Sequence, residues 1–471
     1  MKKVILFSFI LLVAACKVGP HYKGTELTLP EAYRFTDTNA VPEKYRLKTD
    51  TLAVAADESY QWSGLFQDAV LDSLVQKALR YNQDLAIAAE NILIAQNALV
   101  VQRAAMLPQM GYQAGISRGN FQGLLLPEAQ TQIFGAGLVN WELDFWGKFR
   151  RLNEAARANL LATEAGYAAA SLSLTATVAT AYFQLLEYQT RLNIARQTVN
   201  LRDSMLGIIR LRYEKGLIPE IDLNQAQIQL AIAQGQVPVW QRLLAQTEHQ
   251  LSVLTGQVPQ AMPQGLNLAE QDTAVHLPEG LPLALLNRRP DVWQAEQQLL
   301  AQNARVGVAQ ANRLPSISLS ALLGTAGGSF NQLGAAGAAW NVGGSLLGPV
   351  FQFDRFKKLA EIEMNRRNQA QLFYEREVLA ALAEVEDLLI AIGTLKAELR
   401  AREAHVRAAL QAQMLSQNRY DQGVTSYLEY LESQRQAFDA QLAYAGSKQQ
   451  LLSSYAALYK ALGGGWQKPS P

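Results

Sequence analysis

Cys16 is the single cysteine of the 471-residue chain, and the small residues of Val13-Ala14-Ala15 stand directly before it. Behind them lie a basic start, Met1-Lys2-Lys3, and a short apolar run from Val4 to Val13. That order is a secretory signal, too short to span a bilayer as a mature helix. Small residues abutting a cysteine match the pattern at which bacterial lipoproteins are cut. The chemistry would be a thioether from the Cys16 sulfur to a diacylglycerol and a third acyl chain on the new amine. Each buried methylene contributes ~0.8 kcal/mol, so several chains hold a protein firmly in one leaflet. The alternative is an ordinary signal with an incidental cysteine. Lys17 is not the aspartate that favours the inner membrane, so the expected address is the outer membrane.

Other chemistry is scarce. With one cysteine there is no intrachain disulfide. The four histidines, His21, His249, His276 and His405, stand at no ligand spacing, so no metal site is expected. The glycine-rich stretch Gly324 to Gly344 lacks the Gly-Lys-Ser/Thr ending of a phosphate loop. No nucleophile or nucleotide constellation is present, so the chain is not expected to be an enzyme and no cofactor is expected. A net charge of +1 gives no reason to expect nucleic acid as a partner.

Two basic clusters remain: Lys148, Arg150 and Arg151, and Arg355, Lys357 and Lys358. One reading is a ring of cations at the lipid headgroups, meeting phosphate; the other is a solvated helix start. The elements before each cluster favour the membrane. Tyr112, Ala114 and Ile116 alternate with polar or small residues, as do Val139, Trp141, Leu143 and Phe145, then Ile317, Leu319 and Ala321. Period two marks strands with one apolar and one polar face. Strands of roughly ten residues cross an outer membrane when tilted. No apolar run of ~18 residues follows the signal, so a crossing must be a closed barrel. Four strands cannot close one. Three chains give ~12, an even number in the known range, and so a homotrimer. A soluble pair of hairpins is the other reading.

After each cluster comes a long helix. Val385, Leu388, Ile392, Leu395 and Leu399 form a heptad-like seam, as do Val178, Ala181, Leu185, Tyr188, Leu192, Ala195 and Val199. Each helix ends in Arg-Tyr-x-x-Gly, at Gly216 and Gly423, which predicts two helical hairpins. Polar Gln, Asn and Ser interleave with the seams, as for helices lining a wet lumen. The halves superimpose in sequence by one shift of 207 positions without a gap, from Leu79–Gly256 onto Leu286–Gly463. The expected fold is mostly α with a β-barrel part, as an internal two-fold repeat. Residues 1–15 are the signal and 16–60 an extended, lipid-anchored segment. Residues 61–256 are the first repeat, with a helix from Trp62 to Arg80, another from Asn82 to Met106, and strands near 111–120 and 133–146. A linker spans 257–285. The second repeat takes 286–466, with strands near 316–327 and 338–353, and 467–471 is a tail.

The chain resembles the TolC-like outer-membrane efflux factors, in particular the lipid-anchored branch that works with RND multidrug pumps. The resemblance rests on Cys16-Lys17-Val18-Gly19-Pro20-His21-Tyr22, the Trp62-to-Leu74 opening, Trp141-Glu142-Leu143-Asp144-Phe145-Trp146-Gly147, Asn287-Arg288-Arg289-Pro290-Asp291 and Leu458 to Trp466. It implies a trimeric twelve-stranded barrel on a long helical periplasmic tunnel, closed until a pump complex opens it. It implies as partners a periplasmic adaptor and an inner-membrane RND transporter, besides outer-membrane lipid. It also places a gate. Glu429 and Glu432 match acidic residues that narrow the tunnel mouth, Leu428 and Arg435 neighbouring positions, and Tyr420 a tyrosine that ties the closed helices together. Six carboxylates around a threefold axis would attract cations; a solvated helix face is the alternative. The first-repeat equivalents, Asp222 and Gln225, differ in charge. Three functions fit: the exit duct of a tripartite efflux system for small toxic compounds, the channel of a type I protein secretion system, or a pore-less periplasmic adaptor. The cysteine motif and the lipid-anchored branch favour the first.

Overall fold

The computed structural model describes residues 18–22, 24, 62, 65–119, 130–273, 288–334 and 337–468. The signal and Cys16 lie outside them, as does most of the 16–60 segment. The described elements are α1 (Ala69–Tyr81), α2 (Gln83–Ala104), β1 (Gln109–Gly119), β2 (Gln130–Leu143), α3 (Lys148–Glu214), α4 (Glu220–Leu254), α5 (Pro290–Ala311), β3 (Ser316–Gly327), β4 (Ala339–Leu347), α6 (Arg355–Asp421) and α7 (Tyr427–Ala461). The bounds of α5, α6 and α7 are those of α2, α3 and α4 moved by 207 positions. Both α3 and α6 have 67 residues, about 100 Å of helix.

The chain divides into two compact units. The first comprises Met1–Leu27, Glu90–Ala165 and Gln294–Glu377 and contains the sheet. Its order is β1-β2-β3-β4, antiparallel throughout, so β1 and β4 are bare margins among the described residues. The register sets Tyr112 against Gly137, Gly137 against Leu323, and Leu323 against Trp340. Because directly opposed residues share a face, Tyr112, Ile116, Ile133, Val139, Trp141, Leu319, Leu323, Trp340, Val342 and Leu346 form one apolar side. Gln113, Ser117, Gln132, Asn140, Ser318, Ser320, Asn341 and Ser345 are on the other, with Phe134, Leu138 and Leu322 among them. The alternation predicted for three strands therefore continues in step into β4, one face mainly apolar and the other more polar.

Four strand bounds differ from the expected ones by two residues or more. β1 begins at Gln109 rather than 111, and β2 at Gln130 rather than 133. β2 ends at Leu143 rather than 146, because the Asp144 carboxylate turns to accept the Phe149 and Arg150 amides at the start of α3 (both 2.9 Å). That places an anion at a helix N-terminus, where it is stabilised. β4 stops at Leu347 rather than 353: Gly348-Pro349 follows, and proline has no amide to donate to a ladder.

The second unit comprises Thr28–Ala89, Gly166–Trp293 and Val378–Pro471. Its core joins Leu71, Leu74 and Val75 of α1, Val178, Tyr182, Phe183 and Leu185 of α3, Leu251 of α4, Val385, Ile392 and Leu399 of α6, and Leu451, Leu452 and Tyr455 of α7. Those α6 residues recur every seven, the spacing of a coiled-coil seam. The first helix starts at Ala69, not near Trp62. Asp68 caps it, accepting from the Val70 and Leu71 amides at 3.0 and 3.3 Å. Trp62 and Phe66 instead form an aromatic cluster with Phe183 and Tyr459.

One exclusion needs correction. α2 and part of α3 reach the length and mean hydropathy (1.4 and 1.3) of a membrane span, through Ala, Ile and Leu spread among scattered polar residues. On α2, Ile87, Ile94 and Val101 are exposed (60%, 65% and 64%). Their seven-residue spacing is that of a helix-packing stripe.

Candidate functional site

The two glycine turns lie in the second unit. The Gly216 amide bonds to the Tyr213 carbonyl at 2.8 Å and the Leu217 amide to Arg212 at 2.9 Å. Gly423 and Val424 repeat this with Tyr420 and Arg419 at 3.0 and 2.9 Å. This pair of bonds is the Schellman closure of a helix, which needs a left-handed residue. Gly216 and Gly423 have φ of +68° and +72°. A Cβ at either would meet nothing within 4 Å, so backbone angle alone demands glycine there. At the far ends of α4 and α7, Gly256 and Gly463 make the same turn, but a Cβ would strike the carbonyl oxygens of Tyr81 and Arg288.

Behind the turns, Met205, Leu206 and Ile209 of α3 pack with Ala226 and Leu230 of α4 and with Tyr420, Tyr427, Tyr430 and Leu431. The Tyr420 ring stacks on Tyr430 (5.9 Å between centroids, 12° between planes) and lies 5.6 Å from Tyr427. The Arg212 guanidinium sits 4.8 Å from the Tyr420 ring centroid. Burial raises the Tyr420 phenol above its ordinary range despite Arg212. Burial, then the neighbouring Tyr420 and Tyr430, push Tyr427 up to about 12. These phenols are neutral at physiological pH and serve as packing surface.

The other candidate mouth residues are exposed at the start of α7. Ser426 caps that helix by accepting the Glu429 amide at 3.4 Å. Glu429 accepts from the Thr425 hydroxyl and lies 3.6 Å from Arg419. Glu432 takes two bonds from Arg435, at 2.6 and 3.0 Å, and one from Gln436 at 3.0 Å. Hydrogen bonds from Arg435 and Gln436 hold its carboxyl below the usual range. Arg435 also reaches Asp439 at 3.3 Å. Leu428 is 59% exposed. The two glutamates thus share one helix, but each has an arginine beside it in the same chain. The bare acidic ring expected from sequence is, within one chain, a set of ion pairs.

The basic clusters divide differently from expectation. Lys148 pairs with Glu142 at 2.9 Å and Arg150 with Asp144 at 3.0 Å. Arg355, Lys357 and Lys358 are exposed. Arg151 is fully buried, so it cannot face lipid headgroups. Its guanidinium donates to the Val18 and Gly19 carbonyls at 3.2 and 3.1 Å and to Glu154 at 3.0 Å. A buried guanidinium is stable only when its donors are matched in this way. The sequence reading grouped it with its neighbours because nothing local distinguishes it.

Two buried polar networks in the second unit were also missed. Asp68 gathers the Tyr182 hydroxyl and the Gln271 amide, both at 2.7 Å, besides its two helix amides. Arg289 grips Asp291 and Glu384 (2.7 Å each) and donates to the Ala461 carbonyl, the last of α7, at 3.0 Å. The inter-repeat segment is strapped down where it is described. Lys448 donates to the Ala269 carbonyl at 2.6 Å and Tyr455 to that of Thr273 at 3.0 Å. The Asn-Arg-Arg-Pro-Asp motif was the one available signal, and Asn287 lies outside the described residues.

Comparison with known proteins accords with this geometry. Residues 74–257 and 281–464 each match the outer membrane efflux protein family, and the two matches lie 207 positions apart. The solvent efflux pump outer membrane protein SrpC of Pseudomonas putida is 33% identical over 407 residues, 85% of this chain and 86% of its own length. The pyoverdine export outer membrane protein OpmQ of Pseudomonas aeruginosa is 31% identical, covering 99% and 98%. The solved outer-membrane channel OprN superimposes with a TM-score of 0.83 at 28% identity, over 96% of this chain and 100% of that one. The duplicated helices, the two-faced sheet and these matches place the chain in the outer membrane efflux protein family.

Proposed function

We propose that this chain is the outer-membrane exit duct of a tripartite efflux system for small toxic compounds, fed by a periplasmic adaptor and an inner-membrane RND pump. The observation that carries the reading is the four-stranded sheet. It has one mainly apolar and one more polar face, and among the described residues both its margins are bare. Open edges are not tolerated in lipid, so copies of the chain must supply the missing pairs. Three copies close ~12 strands. The exposed heptad stripe Ile87, Ile94 and Val101 supports packing of α2 on a neighbouring copy. An acylated Cys16 adds a lipid anchor, and Arg355, Lys357 and Lys358 meet headgroup phosphate.

Deleting the gene is expected to sensitise cells to amphipathic toxicants, with resistance restored by a plasmid copy. Unchanged sensitivity together with loss of a secreted protein would instead assign the chain to type I secretion.

At the mouth, the ion pairs sharpen the expectation for the gate. Glu429→Ala/Glu432→Ala removes six carboxylates from a trimer and leaves Arg419 without Glu429 and Arg435 with Asp439 alone. Single-channel reversal potentials are then expected to turn from cation toward anion preference, as charged rings set the selectivity of pores. An unaltered reversal potential would remove both residues from the conducting path.

A further inference from the structure

Residues Val18–Tyr22 are not a free lead-in. The Val18 amide donates to the Trp146 carbonyl at 3.2 Å. Its carbonyl and that of Gly19 are taken by Arg151, and the Pro20 carbonyl by the Asn303 side-chain amide at 3.1 Å. Gly19 has φ +112°, and a Cβ there would collide with the Gly307 backbone. A Cβ on Gly307 would lie 2.8 Å from Arg151 Nε and 3.0 Å from the Val18 carbonyl oxygen. Arg151 and Asn303 are both buried, at 0% and 4% exposure.

The duplication supplies an internal comparison. Moved by 207 positions, the Arg151–Glu154 pair becomes Lys358–Glu361, an ion pair of 2.7 Å whose side chains are 65% and 44% exposed. Gly307 corresponds to Val100, 60% exposed, and Asn303 to the exposed Gln96. The counterparts are thus a lysine in the second repeat and a valine and a glutamine in the first, all exposed, and no segment lies over them among the described residues. Val18–Tyr22 instead meets a buried arginine from the first repeat and an asparagine and a glycine from the second.

We infer that Arg151, Asn303 and Gly307 form a built cleft for the segment that follows residue 16, with Arg151 its positioning residue. The segment enters this cleft beside the joint of β2 and α3, at the end of the apolar sheet face marked by Leu143, Ile317 and Leu346. A role in mooring a lipid anchor rests on the reading of Cys16 as acylated; the cleft itself does not.

Hydrogen–deuterium exchange read by mass spectrometry on the detergent-solubilised full chain tests this. The Val18 amide is expected to exchange slowly in the native protein and in Cys16→Ser. Loss of two charge-assisted bonds in Arg151→Met is expected to speed it at least ~10-fold. Gly307→Val, which copies the other repeat, is expected to do the same and carries the test alone should Arg151→Met not assemble. Lys358→Met, the matched change outside the cleft, should leave it slow. Exchange in Gly307→Val as slow as in the native protein, or native exchange as fast as in a free peptide, would overturn the cleft. The mass of the N-terminal peptide reports acylation separately: an unmodified Cys16 with slow Val18 exchange refutes the anchor and leaves the cleft standing.

Discussion

Asp68→Ala is expected to destabilise the helical body by ~4 kcal/mol, from one lost helix cap and two buried donors left without an acceptor. Asp68 is 2% exposed and accepts four bonds: from the Val70 and Leu71 amides, the Tyr182 hydroxyl and the Gln271 side chain. Tyr182 cannot turn elsewhere, because its oxygen already accepts the Gly265 amide at 3.0 Å. Burial and the Asp68 carboxylate hold that phenol well above its ordinary range, so it stays a donor. Gly265 is glycine because a Cβ there would strike the Asp68 carboxylate. Asp68→Asn keeps the shape but turns a donor toward Tyr182 or Gln271, and should lose about half as much. Thermal unfolding followed by helical circular dichroism reads both. A native midpoint for Asp68→Ala would show that the network does not hold the body together.

Arg289→Met comes next in size. Arg289 ties three parts of the second unit: Asp291 at the head of α5, Glu384 in α6, and the last carbonyl of α7. Breaking a buried pair costs ~3–5 kcal/mol. Asp291 is 39% exposed and Glu384 keeps Lys460 at 2.9 Å, so screening by solvent brings the expected loss nearer ~2–3 kcal/mol. Arg289→Lys should recover little, since an ammonium cannot span the carboxylate fork and the carbonyl together. The pH dependence has a definite sign. Burial raises the Asp291 and Glu384 carboxyls, but Arg289, with Lys460 on Glu384, outweighs it and leaves both below their ordinary values. Such groups contribute stability above the unfolded carboxylate pKa, about 4, and lose it as pH falls through the lower folded value. The native protein should therefore lose thermal stability below about pH 4 more steeply than Arg289→Met. Parallel acid profiles for the two would exclude this network as the cause.

The readable parts of this fold are those with a local period. Val385, Ile392 and Leu399 announce a seam because seven residues are two turns, and Tyr112 and Ile116 announce a strand face because alternate residues share it. The duplication was legible for a different reason: turn glycines such as Gly216 and Gly423 are fixed by backbone angle, so they survive at constant spacing while seam residues drift. What was hidden depends on distant partners. Nothing near Arg151 tells it from Arg150; the difference is the backbone of Val18 and Gly19 laid over it. Asp68, Tyr182 and Gln271 meet across some two hundred positions of sequence. At the candidate mouth, Glu429, Glu432 and Arg435 were found by resemblance, but the pairing of the glutamates with Arg419 and Arg435 came only from the folded chain. Strand ends erred where a side chain changed duty, as Asp144 did in leaving the ladder to cap α3.

The two margins of the sheet left unpaired among the described residues bear on how the chain matures. A chain alone in water carries strand edges and an apolar face that it cannot hide by itself, the features that drive clumping. Pairing those edges with a second copy is an encounter between molecules, so its rate depends on concentration, and a dilute supply of sister chains prolongs the exposed state.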